Sequence, residues 1–344
     1  MYTWPDILTG LVRSEGLEAE GATWALDEIL NGRASDVEIA ALLVALRAKG
    51  ETEEEIRGLV QAMLDNSAFI DLEQDAVDIV GTGGDRANTV NISTMAAIVA
   101  SSAGAKVVKH GARAASSQSG TADMLEALGV NIKLEPAKQP RVLAETNIAF
   151  LFAALYHSSM KEVAGVRKQL AIQTTFNFLG PLSNPAQPKA MALGVADDDM
   201  APLLARVLAS RGGRGLVFRG FDGLDELTTT SPSDVWMVSD ERVHRTYLDP
   251  LKLGLAPAAP ADLVGGLPEH NAQVARDVVE GKPGPVRDIV LLNAAAAILA
   301  YRGVDLEADV EDQVAHHLGE AAEAIDSGKS KENLERWIAL TNEL

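Results

Sequence analysis

The 344-residue chain has no cysteine, which excludes disulfides, thiolate metal sites and cysteine nucleophiles and gives no pointer to an oxidising compartment. No apolar run approaches the roughly 20 residues that a membrane span requires. The opening MYTWPDILTGLVRSEG also lacks the basic region and unbroken apolar core of a secretion signal. The expectation is a soluble, cytoplasmic enzyme. Positive charge is scarce as well: 30 basic against 49 acidic side chains, a formal net charge of −19. That field repels a nucleic-acid backbone or an anionic membrane. An anionic ligand would have to be met locally, by backbone amides, a few lysines and arginines, and a divalent metal. Apolar residues are plentiful. At 47% of the chain they suffice for one sizeable core and a smaller satellite domain.

Residues 1–70 read as a small helical domain. SDVEIAALLVALRAKG sets Val37, Ile39, Leu42, Leu43 and Leu46 near a helical period, with Ser35 or Asp36 to start the helix and Gly50 to end it. TEEEIRGLVQAM opens with Thr52 and Glu55 at capping-box spacing, followed by a stripe of Ile56, Leu59, Val60 and Met63. So thin a bundle must bury its apolar faces against the rest of the chain or a second subunit. Residues 71–344 change texture. AVDIV, AKVVK, IAFLFA, AMALGVA and GLVFRG are short apolar runs alternating with turns and helical stretches, which predicts a large α/β domain with a mainly parallel sheet. Ligands of such sheets bind beyond the carboxyl ends of the strands. A helical insertion, about 156–182, breaks the alternation and is expected to return to the helical domain. LAPAAPADLVGG reads as a surface loop.

Three stretches carry chemistry. VDIVGTGGDRANTVNIST ends a strand with Gly81, Thr82, Gly83, Gly84 and Asp85 and reaches Asn91, Ser93 and Thr94 where a helix should start. Glycines let backbone amides approach phosphate oxygens, and a helix start adds free N–H groups. The spacing fits neither the Walker A nor the dinucleotide fingerprint, and a plain tight turn is the alternative. KVVKHGARAASSQSG repeats the design after the next strand. Lys109, His110 and Arg113 supply donors, and Ser116, Ser117, Ser119, Gly120 and Thr121 precede a helix. Its alternative is an ordinary polar loop. VFRGFDGLDELTTT puts Asp225 and Glu226 beyond a strand. Adjacent carboxylates there suit Mg²⁺, which fills its shell with water and substrate phosphates; solvated surface is the other reading.

Taken together, GTGGD, NIST, KHGxRAxSSxSGxAD, VRK, FNxLGPLxNP and DGLDE, in this order and spacing, closely resemble the anthranilate phosphoribosyltransferases of tryptophan biosynthesis. The resemblance covers nearly the whole chain. It implies a small helical domain, a large α/β domain of the nucleoside-phosphorylase type, a homodimer formed through the helical domain, and Mg²⁺ with phosphoribosyl pyrophosphate. It assigns Gly81, Gly84, Asp85, Thr89, Asn91, Ile92, Ser93, Thr94, Lys109, Ser117 and Thr121 to phosphoribosyl pyrophosphate. Ser93, Asp225 and Glu226 fall to magnesium. Anthranilate falls to Gly81, His110, the position of Ala112, and Arg167, which would pair with its carboxylate. No side chain is implied as a covalent nucleophile.

The departures lie mostly on the acceptor side. The family pattern has asparagine at Ala112, usually lysine at Gln118, usually proline at Ala154 and Ser158, and often arginine at Gln173. Reaction type is therefore better fixed than acceptor identity. The rivals are a paralogue with another aromatic amine, a nucleoside phosphorylase of the same superfamily, and a non-catalytic binding protein on the same fold.

Overall fold

The computed structural model describes residues 1–114 and 118–344. Ser116 and Ser117, the latter one of the expected donor contacts, lie outside the described residues. The chain divides into two compact units, Met1–Phe69 with Ala153–Pro185, and Ile70–Phe152 with Ala186–Leu344.

The first unit is helical. Helices run over Trp4–Val12, Ala19–Leu30, Asp36–Lys49 and Glu53–Asp65, and the returning segment adds Lys161–Leu170 and Phe176–Leu182. Ser35 and Thr52 each accept from the backbone three residues on, while Glu38 and Glu55 reach back to the capping residue's own N–H, so both capping boxes form. Gly50 closes the third helix at φ +85°. Ile56, Leu59, Val60 and Met63 are all buried, as their spacing predicts; full burial of such a side chain is worth about 1.5–3 kcal/mol. Val37 is not part of its helix's apolar stripe, being 77% exposed. It precedes Ile39 by two residues, about 200° of helical rotation, and so faces the other way. Helices Ala19–Leu30 and Glu53–Asp65 cross at Gly58, where an added Cβ would lie 2.1 Å from the Ala19 carbonyl oxygen. Thr23 Oγ1 donates to the Gly58 carbonyl at 2.9 Å across the same crossing.

The second unit is built on seven strands: β1 (Val77–Gly81), β2 (Val107–Gly111), β3 (Ile148–Phe152), β4 (Ala190–Gly194), β5 (Arg214–Gly220), β6 (Ser233–Ser239) and β7 (Arg242–Leu248). Their order is β3-β2-β1-β4-β5-β6-β7. The first five are parallel, and β6 and β7 extend the sheet antiparallel. The parallel strands are nearly wholly buried, as continuous apolar runs require. Helix Pro285–Arg302 has every residue from 289 to 300 buried in the core.

Two features differ from expectation. The β6–β7 hairpin gives no turn signal in sequence, because its turn residues Asp240 and Glu241 adopt φ +51° and +59° without a glycine. The segment taken as a surface loop is partly anchored: Leu263 is 1% exposed, its carbonyl accepts from Val90 N–H at 2.9 Å, and Val264 bridges to Thr89. Gly265 permits this approach, since a Cβ there would stand 2.7 Å from the Thr89 carbonyl oxygen.

Candidate active site

From β1 the chain moves outward through β2 and β3 on one side, then returns to place β4 and β5 on the other. The carboxyl ends of β1 and β4 therefore flank the point where strand order reverses, the usual place for a ligand crevice in such sheets. The loop after β5 folds over these two ends. A Cβ on Gly81, the last residue of β1, would lie 2.1 Å from Asp225 Oδ2, and one on Gly194, the last of β4, would lie 1.7 Å from the Asp225 carbonyl oxygen. Both strands must end in glycine for Asp225 to sit there.

The turn after β1 is shaped by left-handed backbone at Gly83 (φ +72°), Gly84 (+90°), Arg86 (+60°) and Asn88 (+52°). Gly83 N–H donates to Asp225 Oδ2 at 2.7 Å, and Thr82 N–H donates to the Gly194 carbonyl at 3.0 Å. Asp85 lies beside Asp225. The chain passes Thr89 and enters the helix Ile92–Ser102, with Asn91 at its start. Ser93 N–H, one of the donors a helix start leaves free, donates to Glu226 Oε1 at 3.2 Å. Ile92 and Thr94 are buried beside it.

Lys109 on β2 is 1% exposed. Its Nζ donates to the Ile79 carbonyl and to Ser93 Oγ, the latter at 3.3 Å. Burial pulls its pKa below the ordinary lysine value, against the opposing charges of Asp78, Glu226 and Asp225. Burial, then the neighbouring Asp85, pushes Asp225 up to about 7. Glu226 is held well above the carboxylate range by burial and by Asp225, with Lys109 and the Ser93 amide pulling the other way. Two carboxylates short of counter-charge, beside a serine hydroxyl, are a hard oxygen donor set that fits Mg²⁺. Among the described residues they do not gather with a third carboxylate or imidazole on one point, so a cation there needs ligands from elsewhere.

The loop after β2 is tied to this assembly. Asn91 Nδ2 donates to the Ser119 carbonyl at 3.1 Å, and Thr94 Oγ1 donates to Thr121 Oγ1 at 3.3 Å. Thr121 opens the helix Thr121–Leu128. His110 is 5% exposed, and its backbone N–H lies 3.4 Å from both Asp78 oxygens. Ala112 is exposed, and its carbonyl accepts from Ala122 N–H at 3.2 Å. Arg113 is not the ligand donor that its position suggests. Its guanidinium is taken up by Asp123 at 2.7 Å and Glu126 at 2.9 Å and lies over the Phe152 ring.

Arg167 belongs to the helical unit, on helix Lys161–Leu170. It is half-buried, its guanidinium lies 5.3 Å from the centre of the Phe176 ring, and burial lowers its pKa. Among the described residues it makes no ion pair. His157, in the same unit, has Nε2 2.9 Å from the Ser183 carbonyl oxygen.

Several supporting residues escape sequence reasoning. Asn293, fully buried in helix Pro285–Arg302, accepts from Leu227 N–H at 3.1 Å and donates to the Leu227 carbonyl at 2.7 Å, clamping the backbone immediately after Glu226. Asn271 donates to Asn91 Oδ1 at 2.8 Å, and Asp78 on β1 accepts from His110 N–H on β2. A lone amide in the apolar run LLNAAAAILA is a signal that would have flagged Asn293, since buried amides need partners.

Comparison with known proteins agrees with this geometry. Residues 5–67 match the model of the "Glycosyl transferase family, helical bundle domain", and residues 73–331 that of the "Glycosyl transferase family, a/b domain". An anthranilate phosphoribosyltransferase of Thermobifida fusca is 53% identical over 336 residues, 98% of this chain and 96% of that protein. One from Arthrobacter sp. is 53% identical over 339 residues, again 98% and 96%. The crystal structure of the Thermus thermophilus anthranilate phosphoribosyltransferase superposes with a TM-score of 0.91 at 37% identity, covering 98% of this chain and 99% of that one. The Saccharomyces cerevisiae enzyme in complex with phosphoribosyl pyrophosphate and Mg gives 0.88 at 29% identity, covering 99% and 98%. With a helical bundle and an α/β domain in sequence order, and relatives this similar along their whole length, the chain belongs to the anthranilate phosphoribosyltransferase family.

Proposed function

We infer that the protein transfers the 5-phosphoribosyl group from phosphoribosyl pyrophosphate to anthranilate, giving N-(5-phosphoribosyl)anthranilate and pyrophosphate in tryptophan biosynthesis. The observation that carries this reading is the convergence of the Gly81–Asp85 turn, the Ser93 helix start and the Asp225–Glu226 pair above β1 and β4. In the reaction the C1–O bond to pyrophosphate breaks, the amine nitrogen bonds to C1, and the amine gives up a proton. No covalent intermediate is required. Catalysis rests on positioning and on stabilising charge that leaves with pyrophosphate.

The donor is assigned to Gly81, Gly84, Asp85, Thr89, Asn91, Ile92, Ser93, Thr94, Lys109, Ser117 and Thr121. The two helix starts would offer the donor's phosphates the positive end of the helix dipole. Lys109 lies buried against Ser93, next to the acidic pair. Ser93, Asp225 and Glu226 would hold Mg²⁺, which when bound neutralises charge on the pyrophosphate. The acceptor is assigned to Gly81, His110, the Ala112 position and Arg167, whose half-buried guanidinium without an acid partner suits a carboxylate. A homodimer through the helical unit goes with this reading, supported by the exposure of Val12 (79%) and Val37 (77%) on that unit. Light scattering at micromolar concentration checks it. A cytoplasmic setting follows from the donor, a multiply charged metabolite that does not cross membranes unaided.

The decisive experiment is turnover with phosphoribosyl pyrophosphate and a panel of aromatic amines. Anthranilate should be used, and no pyrophosphate release with any amine would overturn the assignment. A clear preference for another amine would favour the paralogue reading, for which Ala112 is the motive. Calorimetry adds a second check. Magnesium should bind the donor complex far more tightly than the free protein, because two protein carboxylates leave most of an octahedral shell to phosphate and water. Equal affinity in both would remove Asp225 and Glu226 from the metal site.

A further inference from the structure

Helix Val310–Asp326 of the α/β unit carries His316, His317 and Glu320, none of which belongs to the donor loops. Positions three and four apart on a helix are neighbours, so Glu320 is flanked by both imidazoles. His316 Nε2 lies 3.5 Å from Glu320 Oε1, and His317 Nδ1 lies 3.4 Å from Oε2. The two rings meet edge to face with centroids 5.0 Å apart. One ligand atom from each residue lies within 4.8 Å of the other two, and no other group of three or more metal-binding side chains does so among the described residues.

The pair that meets at 3.4 Å is also short of hydrogen bonds. His317 Nδ1 and Glu320 Oε2 are both buried, and neither has a hydrogen-bond partner. Leaving such atoms unsatisfied is costly. The one cation nearby, Arg302 Nη2, is 3.9 Å from Glu320 Oε2, at the limit of an ion pair, and its side chain is 52% exposed. Arg302 can therefore swing into solvent.

We propose that His316, His317 and Glu320 form a second cation site, separate from the magnesium ligands and selective for borderline divalent metals of the zinc, cobalt and nickel class. Two imidazoles and one carboxylate suit these ions, whereas magnesium demands oxygen ligands. Water completes the shell. Arg302 competes for Glu320 and weakens the site.

The test uses the full chain stripped of metal. Cobalt(II) titration should produce saturable visible absorption bands at one equivalent, displaced by zinc and unaffected by excess magnesium. Zinc should raise the melting temperature. His316→Ala, whose side chain is largely exposed and whose loss leaves the fold intact, should weaken cobalt binding roughly tenfold or more, since even outer partners of ligands cost that much. Glu320→Gln should do the same, and Arg302→Ala should tighten binding. Transferase activity of His316→Ala with magnesium should match wild type. Absence of cobalt bands, or equal cobalt affinity in wild type and His316→Ala, would overturn the proposal; the latter result would place the ion elsewhere, for example at Asp225 and Glu226.

Discussion

The loops assigned to the donor and the residues assigned to the acceptor are built by opposite means. Around Asp225 and Glu226 nearly every group is fixed before a ligand arrives: Gly83 and Ser93 amides on the carboxylates, Lys109 beneath Ser93, and Asn293 clamping Leu227 from behind. Arg167 instead rests on one aromatic ring, with no ion pair among the described residues, and Ala112 offers only a methyl group. On the proposed assignment, the donor's charge would be met by an over-determined frame and the acceptor by a few separate side chains. Changes to the frame should therefore act on the chemical step, and changes to acceptor residues on acceptor affinity.

The largest effect is expected from Gly194→Ala. Its Cβ would meet the Asp225 backbone at 1.7 Å, and backbone cannot yield as the end of a side chain can. Displacing Asp225 by an ångström or so should lower kcat/KM for the donor about a hundredfold or more, with far-UV circular dichroism unchanged. Gly81→Ala should be milder, because its Cβ meets the Asp225 carboxylate, which has a torsion to spare. Equal effects of the two would show that the carbonyl's position is unimportant, and the frame would be looser than described.

Arg167→Ala comes next. A charge-assisted hydrogen bond contributes about 1.5–3 kcal/mol, so the Michaelis constant for anthranilate should rise between roughly tenfold and a hundredfold while that for the donor stays put. Arg167→Lys should recover part of the loss. A fall in kcat with both constants unchanged would place Arg167 in the frame and break the contrast.

How far the sequence reveals each side follows from where the partners lie along the chain. Thr52 with Glu55 is a local device three residues long, and it forms as read. The glycine turns and the acidic pair are legible because they need particular residue types in short order. Asn293 is legible only as a buried amide in need of partners; its clamp on Leu227, 66 residues away, exists only once helix and loop are packed. Arg113 reads as a ligand donor until the fold brings Asp123 and Glu126 to it. Val37 counts as apolar in any pattern, and only helical rotation shows it facing out.

The helical unit also carries a pH response of its own. Burial lowers the pKa of His157, so the folded state prefers the neutral imidazole while the unfolded chain titrates near the ordinary value of about 6.5. The unfolded state then binds more protons below that pH, and stability contributed by His157 is present above it and lost as pH falls. Urea unfolding of wild type and His157→Gln at pH 7.5 and 5.5 should show a smaller acid loss in the variant. Identical losses would assign the acid response to other groups.

The smallest effect is expected at Ala112, where the contrast is finest. Asparagine there offers both a donor and an acceptor to an aromatic acid, and alanine offers neither. The position is exposed and its carbonyl is already committed to Ala122 N–H, so Ala112→Asn can add a side-chain hydrogen bond without disturbing the loop. One neutral hydrogen bond is worth about 0.5–1.5 kcal/mol, which should lower the Michaelis constant for anthranilate roughly two- to tenfold and leave donor binding nearly unchanged. The gain should persist in an Arg167→Ala background if the two groups act independently, since independent contacts add. If wild type and Ala112→Asn share the same constants for anthranilate and neither prefers another amine, alanine is simply tolerated there. Acceptor recognition would then rest on Arg167 and His110 without help from the loop after β2.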